Sequence, residues 1–411
     1  LRACAMPTYS CRKCTTTSKR LAWVAVATVG LLTAAPAVAS YASPPPSPTS
    51  APTVDARGGE SIAMPKMRAW TYIVADADTG AVLGGRDWHW KLPPASTMKT
   101  LTALSLVNRL QLDSQYRARK VDVQAEGSKV GLKEGSQYRV RDLFDGMLMP
   151  SGNDAATALA SAYGGIEPAT QAMAAEATRL GANDTVVKNT SGLDEPGQVT
   201  TAYDLALILR ESLKNPQLQE IYKQHHVDFP DAEPTEPGAV RKTIRIWTEN
   251  RFILNNYPGA LGGKTGFTSQ AGRTYVGAME RDGRKLIVAV MRSAESTERA
   301  VNRLFDWGFA NYDKIKPVDK LVDPQPEDEI TAVPAASYDE QGNSNLPQVA
   351  VVESSSAGGS RMPLLLLIAT GVAGLGFVIW RRRNKGEFAT RDSDQQRHEV
   401  DLRERDESQL R

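Results

Sequence analysis

The sequence predicts a mixed α/β domain of the α+β type, with an antiparallel sheet and a mostly helical part beside it. Apolar residues alternate with polar ones near the start of the domain (69–86) and again near its end (273–291). The segment between them (96–214) instead repeats its apolar residues at helical spacing. We therefore expect strands from distant parts of the chain to form one sheet, with helices flanking it.

Two segments have the pattern of β-hairpins. The first, "AWTYIVADADTGAVLGG", alternates and is interrupted at Asp78-Thr79-Gly80, a combination typical of a turn between two strands. The second, "RTYVGAMERDGRKLIVAVM", has Asp282-Gly283 at its centre, and this dipeptide favours a tight turn with positive φ angles. The two hairpins would supply four strands of the sheet.

The helical segments are recognised by apolar spacing and by residues suited to helix ends. One of them, "NDAATALASAYGG", is predicted to be capped by Asn153 or Asp154 and to end at glycine. In chain order, the predicted helices cover residues 96–110, 153–165, 168–182, 202–214 and 295–312.

Composition divides the 411 residues into six segments. Lys19-Arg20, a following apolar run and Ala37-Val38-Ala39 resemble a cleavable secretory signal, with an uncleaved membrane anchor as the alternative. Residues 363–380 are uncharged and precede three arginines, which predicts a membrane-spanning helix with its C-terminus in the cytoplasm. The predicted segments are a signal (1–39), a Pro/Ser-rich linker (40–66), a catalytic domain (67–320), a flexible linker (321–361), a transmembrane helix (362–380) and a cytoplasmic tail (381–411).

This organisation predicts a single-pass protein of the cell membrane whose folded domain lies outside the cytoplasm. The three cysteines, Cys4, Cys11 and Cys14, all precede the expected cleavage site, so neither a disulfide nor a thiol nucleophile is expected in the mature protein. Residues 40–360 contain 34 basic and 39 acidic residues, a net charge of −5, and no basic stripe with interleaved aromatic residues. We therefore expect no nucleic-acid partner.

The stretch "PPASTMKTLTAL" places Ser96 and Lys99 three positions apart at a predicted helix start. At this spacing both side chains project from one helix face, so a neutral lysine can take the proton of the serine hydroxyl. The pair alone is a weak motif, because Ser10 and Lys13 have the same spacing in the predicted signal. Burial or a neighbouring positive charge such as Lys264 would be needed to keep Lys99 neutral.

Two further motifs follow in the predicted domain. Ser151-Gly152-Asn153 directly precedes a predicted helix, and Lys264-Thr265-Gly266 directly precedes the second hairpin. Ser-x-x-Lys, Ser-x-Asn and Lys-Thr-Gly, in this order, resemble the signature of penicillin-binding proteins and class A β-lactamases. Over about 67–312 the chain is most similar to low-molecular-mass penicillin-binding proteins that act as D-alanyl-D-alanine carboxypeptidases (serine peptidase family S11), of the type associated with actinobacteria.

This resemblance implies the serine β-lactamase/D,D-peptidase-like fold and an acyl-enzyme on Ser96. It implies that Ser151 relays a proton, that Asn153 holds Lys99 and a substrate carbonyl, and that Lys264 and Thr265 bind a terminal carboxylate. Gly266 would let an extended peptide approach the strand edge. The expected substrate is a peptidoglycan stem peptide ending in D-Ala-D-Ala, and β-lactams are the expected covalent inhibitors.

Two neighbouring positions complete the expected site. The resemblance assigns part of the oxyanion hole to the backbone N–H groups of Ser96 and Phe267. Phe267 stands where some relatives carry histidine, and Arg251 matches a family arginine near the substrate carboxylate. The four histidines, His89, His225, His226 and His398, do not suggest a Ser-His-Asp triad or a zinc site, and no metal or cofactor is expected.

Several alternatives use the same motifs. A D,D-endopeptidase or transpeptidase would need the same residues. A class A β-lactamase would resemble Ser-Asp-Asn at the second motif, where this chain has Gly152, and would carry a Glu-x-x-Leu-Asn loop that is absent between Asn153 and Lys264. A wall-binding or β-lactam-sensing protein without turnover is the alternative of a different class.

Overall fold

The computed structural model describes residues 53–55, 58–326, 332–338 and 344–345. The predicted signal, membrane-spanning helix and cytoplasmic tail lie outside these residues. Among the helices that the structure describes, none has the length and apolarity needed to cross a membrane.

The described part of the chain alternates short strands with helices. Its strands are β1 (Thr53–Asp55), β2 (Ser61–Ala63), β3 (Ala69–Asp76), β4 (Ala81–Arg86), β5 (Gln115–Arg117), β6 (Gln137–Arg139), β7 (His226–Pro230), β8 (Thr243–Trp247), β9 (Ala260–Thr268), β10 (Gly272–Arg281), β11 (Arg284–Ser293), β12 (Asp319–Lys320), β13 (Ser337–Tyr338) and β14 (Ser344–Asn345). Its α-helices are α1 (Lys99–Val107), α2 (Lys120–Val123), α3 (Val140–Leu148), α4 (Asn153–Ala162), α5 (Ile166–Arg179), α6 (Ala202–Ser212), α7 (Pro216–Lys223), α8 (Arg251–Leu254) and α9 (Thr297–Asn311).

The main sheet is antiparallel and joins strands from both ends of the domain, as the sequence predicts. Its order is β12-β4-β3-β11-β10-β9, and both predicted hairpins, β3–β4 and β10–β11, are present. Asp282 and Gly283 have φ angles of 52° and 74°, which are the positive values that this turn requires. β9 is left as an edge strand, paired only with β10 in this sheet.

The two faces of the sheet bury two separate apolar clusters. On β11, Ile287 and Ala289 belong to the cluster shared with the helical part, whereas Leu286 and Val288 belong to the cluster shared with α9. This alternation follows from the period of two along a strand. Because helices cover both faces of the sheet, the central strand β11 is apolar at successive positions rather than at every second one.

The helical part surrounds α1, whose nine residues are all buried. The predicted cap of α4 is wrong. Gly152 occupies the N-cap position without a side-chain hydrogen bond. The Asp154 carboxylate accepts backbone N–H groups of Val130, Gly131 and Leu132 at 2.8–3.0 Å, and its Oδ1 also accepts the Ala155 N–H at 2.9 Å, so it ties a neighbouring loop to the first turn of the helix.

The described residues 332–338 fall within the segment predicted as a flexible linker (321–361) and contact the helical part. Val333 forms a parallel bridge with Leu110, and the Tyr338 hydroxyl donates a hydrogen bond of 2.5 Å to the carbonyl of Ser161. The Arg119 guanidinium lies 3.8 Å from the centre of the Tyr338 ring. The described residues 332–338 therefore lie along the helical part and form contacts with it.

Candidate active site

The Ser96–Lys99 pair lies where a short 3-10 helix (Ala95–Met98) passes into α1. Ala95 has a φ of 49°, an uncommon value for a residue with a side chain and a frequent one at functional sites. The Lys99 Nζ lies 2.9 Å from the Ser96 Oγ. Ser96 is half-buried, whereas Lys99 is inaccessible to solvent.

The Lys99 amine is surrounded by three oxygens. Besides Ser96 Oγ, it donates hydrogen bonds to the Asn153 Oδ1 (2.6 Å) and to the carbonyl of Ser191 (2.8 Å). The last two oxygens can only accept, but a serine hydroxyl can also donate. A neutral amine can therefore use two N–H bonds for Asn153 and Ser191 and keep its lone pair for the Ser96 proton.

The surroundings of Lys99 favour that neutral form. Burial is the largest cause that lowers the pKa of Lys99, well below its usual value, and the positive charge of Lys264 lowers it further. Glu249 and Asp154 act in the opposite direction. Burial also lowers the pKa of Lys264. The base function predicted for Lys99 is thus compatible with its environment.

Substituting Lys264 by methionine is expected to raise the pKa of Lys99, because it removes the positive charge that disfavours the protonated amine. The acidic limb of the pH profile for penicillin acylation should therefore move to higher pH. Lys264→Arg keeps the charge and serves as the control, with its acidic limb near the wild-type position. An unmoved limb in Lys264→Met would contradict electrostatic coupling between the two lysines.

Ser151 and Asn153 flank the start of α4. Ser151 has a φ of 64° and is 3% exposed. Its hydroxyl forms no hydrogen bond within the described part of the chain, so it is available to a substrate. The Asn153 amide donates to the carbonyl of Glu126 at 2.6 Å and accepts from Lys99, which leaves one N–H for a substrate carbonyl.

Sequence reasoning missed the contribution of the 189–193 turn. The Asn189 Oδ1 accepts the backbone N–H groups of Ser191 (3.2 Å) and Gly192 (2.8 Å), which orients the Ser191 carbonyl toward Lys99. Gly192 has a φ of 85°, and a Cβ there would stand 1.9 Å from the carbonyl oxygen of Ala95. The glycine in "NTSGL" was the available signal, because it marks a close approach between two backbones.

β9 brings the third motif to the nucleophile. Lys264 is 1% exposed, and its Nζ donates to the Thr265 carbonyl at 2.9 Å. A Cβ on Gly266 would lie 2.8 Å from the backbone nitrogen of Ser96. Glycine is therefore required for the strand to pass this close, as the sequence predicts for an edge that accepts an extended peptide.

The two remaining predicted residues are more peripheral. Phe267 is 59% exposed, and the Arg273 guanidinium lies 5.8 Å from the centre of its ring. Arg251 is exposed at the first position of α8. Its side chain forms no hydrogen bond or ion pair with any residue of the described ranges. The structure thus does not join Arg251 to the other predicted site residues.

Glu249 is a further charged residue that the sequence reasoning did not select. Its Oε2 lies 3.6 Å from the Lys264 Nζ and accepts a hydrogen bond from the Thr265 hydroxyl at 3.4 Å. Nothing in the sequence pattern pairs Glu249 with Lys264, because a short helix and a loop separate them. For metals, no cluster of three His, Cys, Asp or Glu side chains occurs within the described residues.

This fold and this Ser–Lys–Ser–Asn–Lys site define a serine acyl-transfer enzyme. The sequence profile of the D-alanyl-D-alanine carboxypeptidase family S11 matches residues 59–295. The chain belongs to this family and is a serine-type D-alanyl-D-alanine carboxypeptidase. The family acts on peptidoglycan peptides ending in D-Ala-D-Ala and binds β-lactams.

Individual relatives agree with this assignment. The chain is 41% identical to the D-alanyl-D-alanine carboxypeptidase DacB2 of Mycobacterium tuberculosis, over 62% of this chain and 87% of the relative. It resembles the crystal structure of a D-alanyl-D-alanine carboxypeptidase from M. tuberculosis H37Rv, with a TM-score of 0.58, 39% identity and coverage of 66% and 99%. The Streptomyces K15 DD-transpeptidase gives a TM-score of 0.57, 26% identity and coverage of 61% and 100%.

Proposed function

We propose that Ser96 is the nucleophile and Lys99 its general base in the release of the terminal D-alanine from stem pentapeptides. The observation that carries this proposal is the arrangement around the Lys99 amine. Two acceptor-only oxygens occupy its N–H bonds, and burial together with Lys264 disfavours its protonated form. The remaining lone pair can only be used for the Ser96 hydroxyl.

In the first step, the Ser96 proton passes to Lys99 while Oγ bonds to the carbonyl carbon of the penultimate D-alanine. The oxyanion faces the backbone N–H groups assigned to Ser96 and Phe267. The C–N bond then breaks, and the leaving D-alanine nitrogen receives the proton through Ser151. Water attacks the resulting ester, and Ser96 regains its proton as the shortened peptide leaves.

The substrate is proposed to extend β9 by one strand, with its terminal carboxylate at Lys264 and Thr265. The peptide upstream of the scissile bond would then run toward the end of β9, where the Thr268 hydroxyl donates to Asp194 at 2.8 Å. A cavity of about 730 Å³ opens there, lined by Asn153, Ser191 and Asp194 among others. Its contact with two site residues supports its use by the acyl part of the substrate.

Gly152 argues against the class A β-lactamase alternative. A Cβ at this position would lie 2.7 Å from the carbonyl oxygen of Gly146 and 2.8 Å from Asp154 Oδ1. An aspartate there, as in class A β-lactamases, would require both neighbours to move. The local backbone therefore suits Ser-Gly-Asn and not Ser-Asp-Asn.

We further propose that the domain works outside the cytoplasmic membrane, held by the apolar segment 363–380. The support is the sequence itself: eighteen uncharged residues followed by three arginines, and a secretory-type N-terminal segment. Detection of the protein in membranes, with protease access to the domain in spheroplasts, would test this arrangement.

The nucleophile is tested by mapping the adduct of labelled penicillin on the full-length protein, alongside measurement of D-alanine release from a pentapeptide ending in D-Ala-D-Ala. We expect one adduct, on Ser96, and release of one D-alanine per peptide. An adduct on another residue would overturn the assignment. Penicillin hydrolysis without D-alanine release would favour the β-lactamase alternative.

A further inference from the structure

Glu249 is the residue of interest, because it places a negative charge where a negative substrate group is expected. Its carboxylate contacts Lys264 (3.6 Å) and the Thr265 hydroxyl (3.4 Å), the two side chains proposed to bind the peptide's terminal carboxylate. Within the described residues, no other acidic side chain forms an ion pair with Lys264. The substrate carboxylate and Glu249 therefore require the same two partners.

Lys264 needs such a partner in the free enzyme. Its ammonium is almost completely buried, and a buried charge without a counter-charge is costly. Its Nζ donates a hydrogen bond to the Thr265 carbonyl, which is not charged. Glu249 supplies the counter-charge when no substrate is bound.

Glu249 is also able to leave. Its side chain is 47% exposed, so it can turn into solvent without losing packing. Its backbone is fixed independently, since the Glu249 N–H donates to the carbonyl of Met149 at 2.9 Å, and the Asn250 side chain caps α8. The carboxylate can therefore move while the segment that carries it stays in place.

We propose that Glu249 is a specificity-determining residue that occupies the carboxylate-binding site in the free enzyme and competes with the substrate's terminal carboxylate. The inference rests on the proposed binding of the substrate carboxylate by Lys264 and Thr265, and it adds that displacing Glu249 weakens this binding. A carboxylate-ended peptide must displace Glu249 or bind beside it, whereas a peptide ending in a neutral amide does not meet the same repulsion. Glu249 thus reduces the preference of the enzyme for a peptide with a C-terminal carboxylate over one with a C-terminal carboxamide.

The test compares two substrates on the full-length protein: diacetyl-L-lysyl-D-alanyl-D-alanine and the same peptide with a C-terminal carboxamide. For Glu249→Gln, we expect the ratio of kcat/KM, acid over amide, to rise about fivefold through a lower KM for the acid, the scale expected for a close charge pair near the surface. Glu249→Ala should give the same direction of change. Glu249→Asp, which keeps the charge on a shorter side chain, should stay nearer to the wild-type ratio.

Glu236→Gln is the matched control, because Glu236 is exposed in the loop between β7 and β8 and its side chain has no hydrogen bond or ion pair with the described residues. Its acid-to-amide ratio should equal that of the wild type. An acid-to-amide ratio that is unchanged or lower in both Glu249→Gln and Glu249→Ala would overturn the inference. The proposed function would still stand if the wild-type protein releases D-alanine. A wild-type protein that releases no D-alanine would overturn both.

Discussion

Lys99→Met is expected to lower the rate at which penicillin acylates Ser96 by about 10³-fold, within the range that general bases contribute. Methionine is similar in length and apolar, so it fits the buried site. It removes the lone pair that accepts the Ser96 proton. The measurement is the second-order rate of adduct formation at pH 7–8.

Lys99→Arg separates the base function from a purely electrostatic one. Arginine carries a positive charge and stays protonated at these pH values, so it cannot accept the proton. We expect it to be as inactive as Lys99→Met. An acylation rate of Lys99→Arg within tenfold of the wild-type rate would contradict the assignment of Lys99 as base.

Gly192→Ala is expected to have the largest effect on stability, lowering the free energy of unfolding by about 3 kcal/mol or more. Alanine at a φ of 85° is strained, and its Cβ would stand 1.9 Å from the Ala95 carbonyl oxygen. Relief of this overlap must displace either the Ser191 carbonyl from Lys99 or the turn that carries Ser96. Denaturant unfolding measures the loss, and penicillin acylation should fall with it.

Gly197→Ala provides the matched comparison. Gly197 has nearly the same φ, 82°, but the nearest atom to its Cβ is Lys188 Cε at 3.7 Å. This variant should show only the conformational cost of a left-handed residue with a side chain, about 1–2 kcal/mol. Equal losses in the two variants would mean that the close approach to Ala95 is not what requires glycine at 192.

Local patterns predicted much of the fold and the site. The two hairpins were recognisable because alternation and the Asp-Gly turn are local properties, and β10–β11 indeed turns at positive φ. The three motifs were recognisable because their side chains are themselves the chemical groups. In the structure, the Lys99 amine forms hydrogen bonds with both the Ser96 hydroxyl and the Asn153 side-chain oxygen.

The parts that escaped prediction depend on the backbone or on chance proximity. The Ser191 carbonyl holds Lys99, but a backbone acceptor leaves no trace in residue identity. Asp154 resembles a helix cap yet bonds to a loop over twenty residues away in sequence. Residues 332–338 contact the helical part in part through backbone hydrogen bonds, such as that from the Ala336 N–H to the Ala162 carbonyl. Backbone contacts of this kind do not show in the composition, which is that of a linker.

The open edge of β9 has a consequence for the behaviour of the protein in concentrated solution. A strand edge that can receive a peptide can also receive the same edge of a second molecule, which is a common route to aggregation. Gly262 and Gly263 have φ angles of 128° and 145°, and the pairing register shifts between Ala278 and Met279. These irregularities make the edge a poor template for a long strand, while a short peptide needs only a few regular positions beside it.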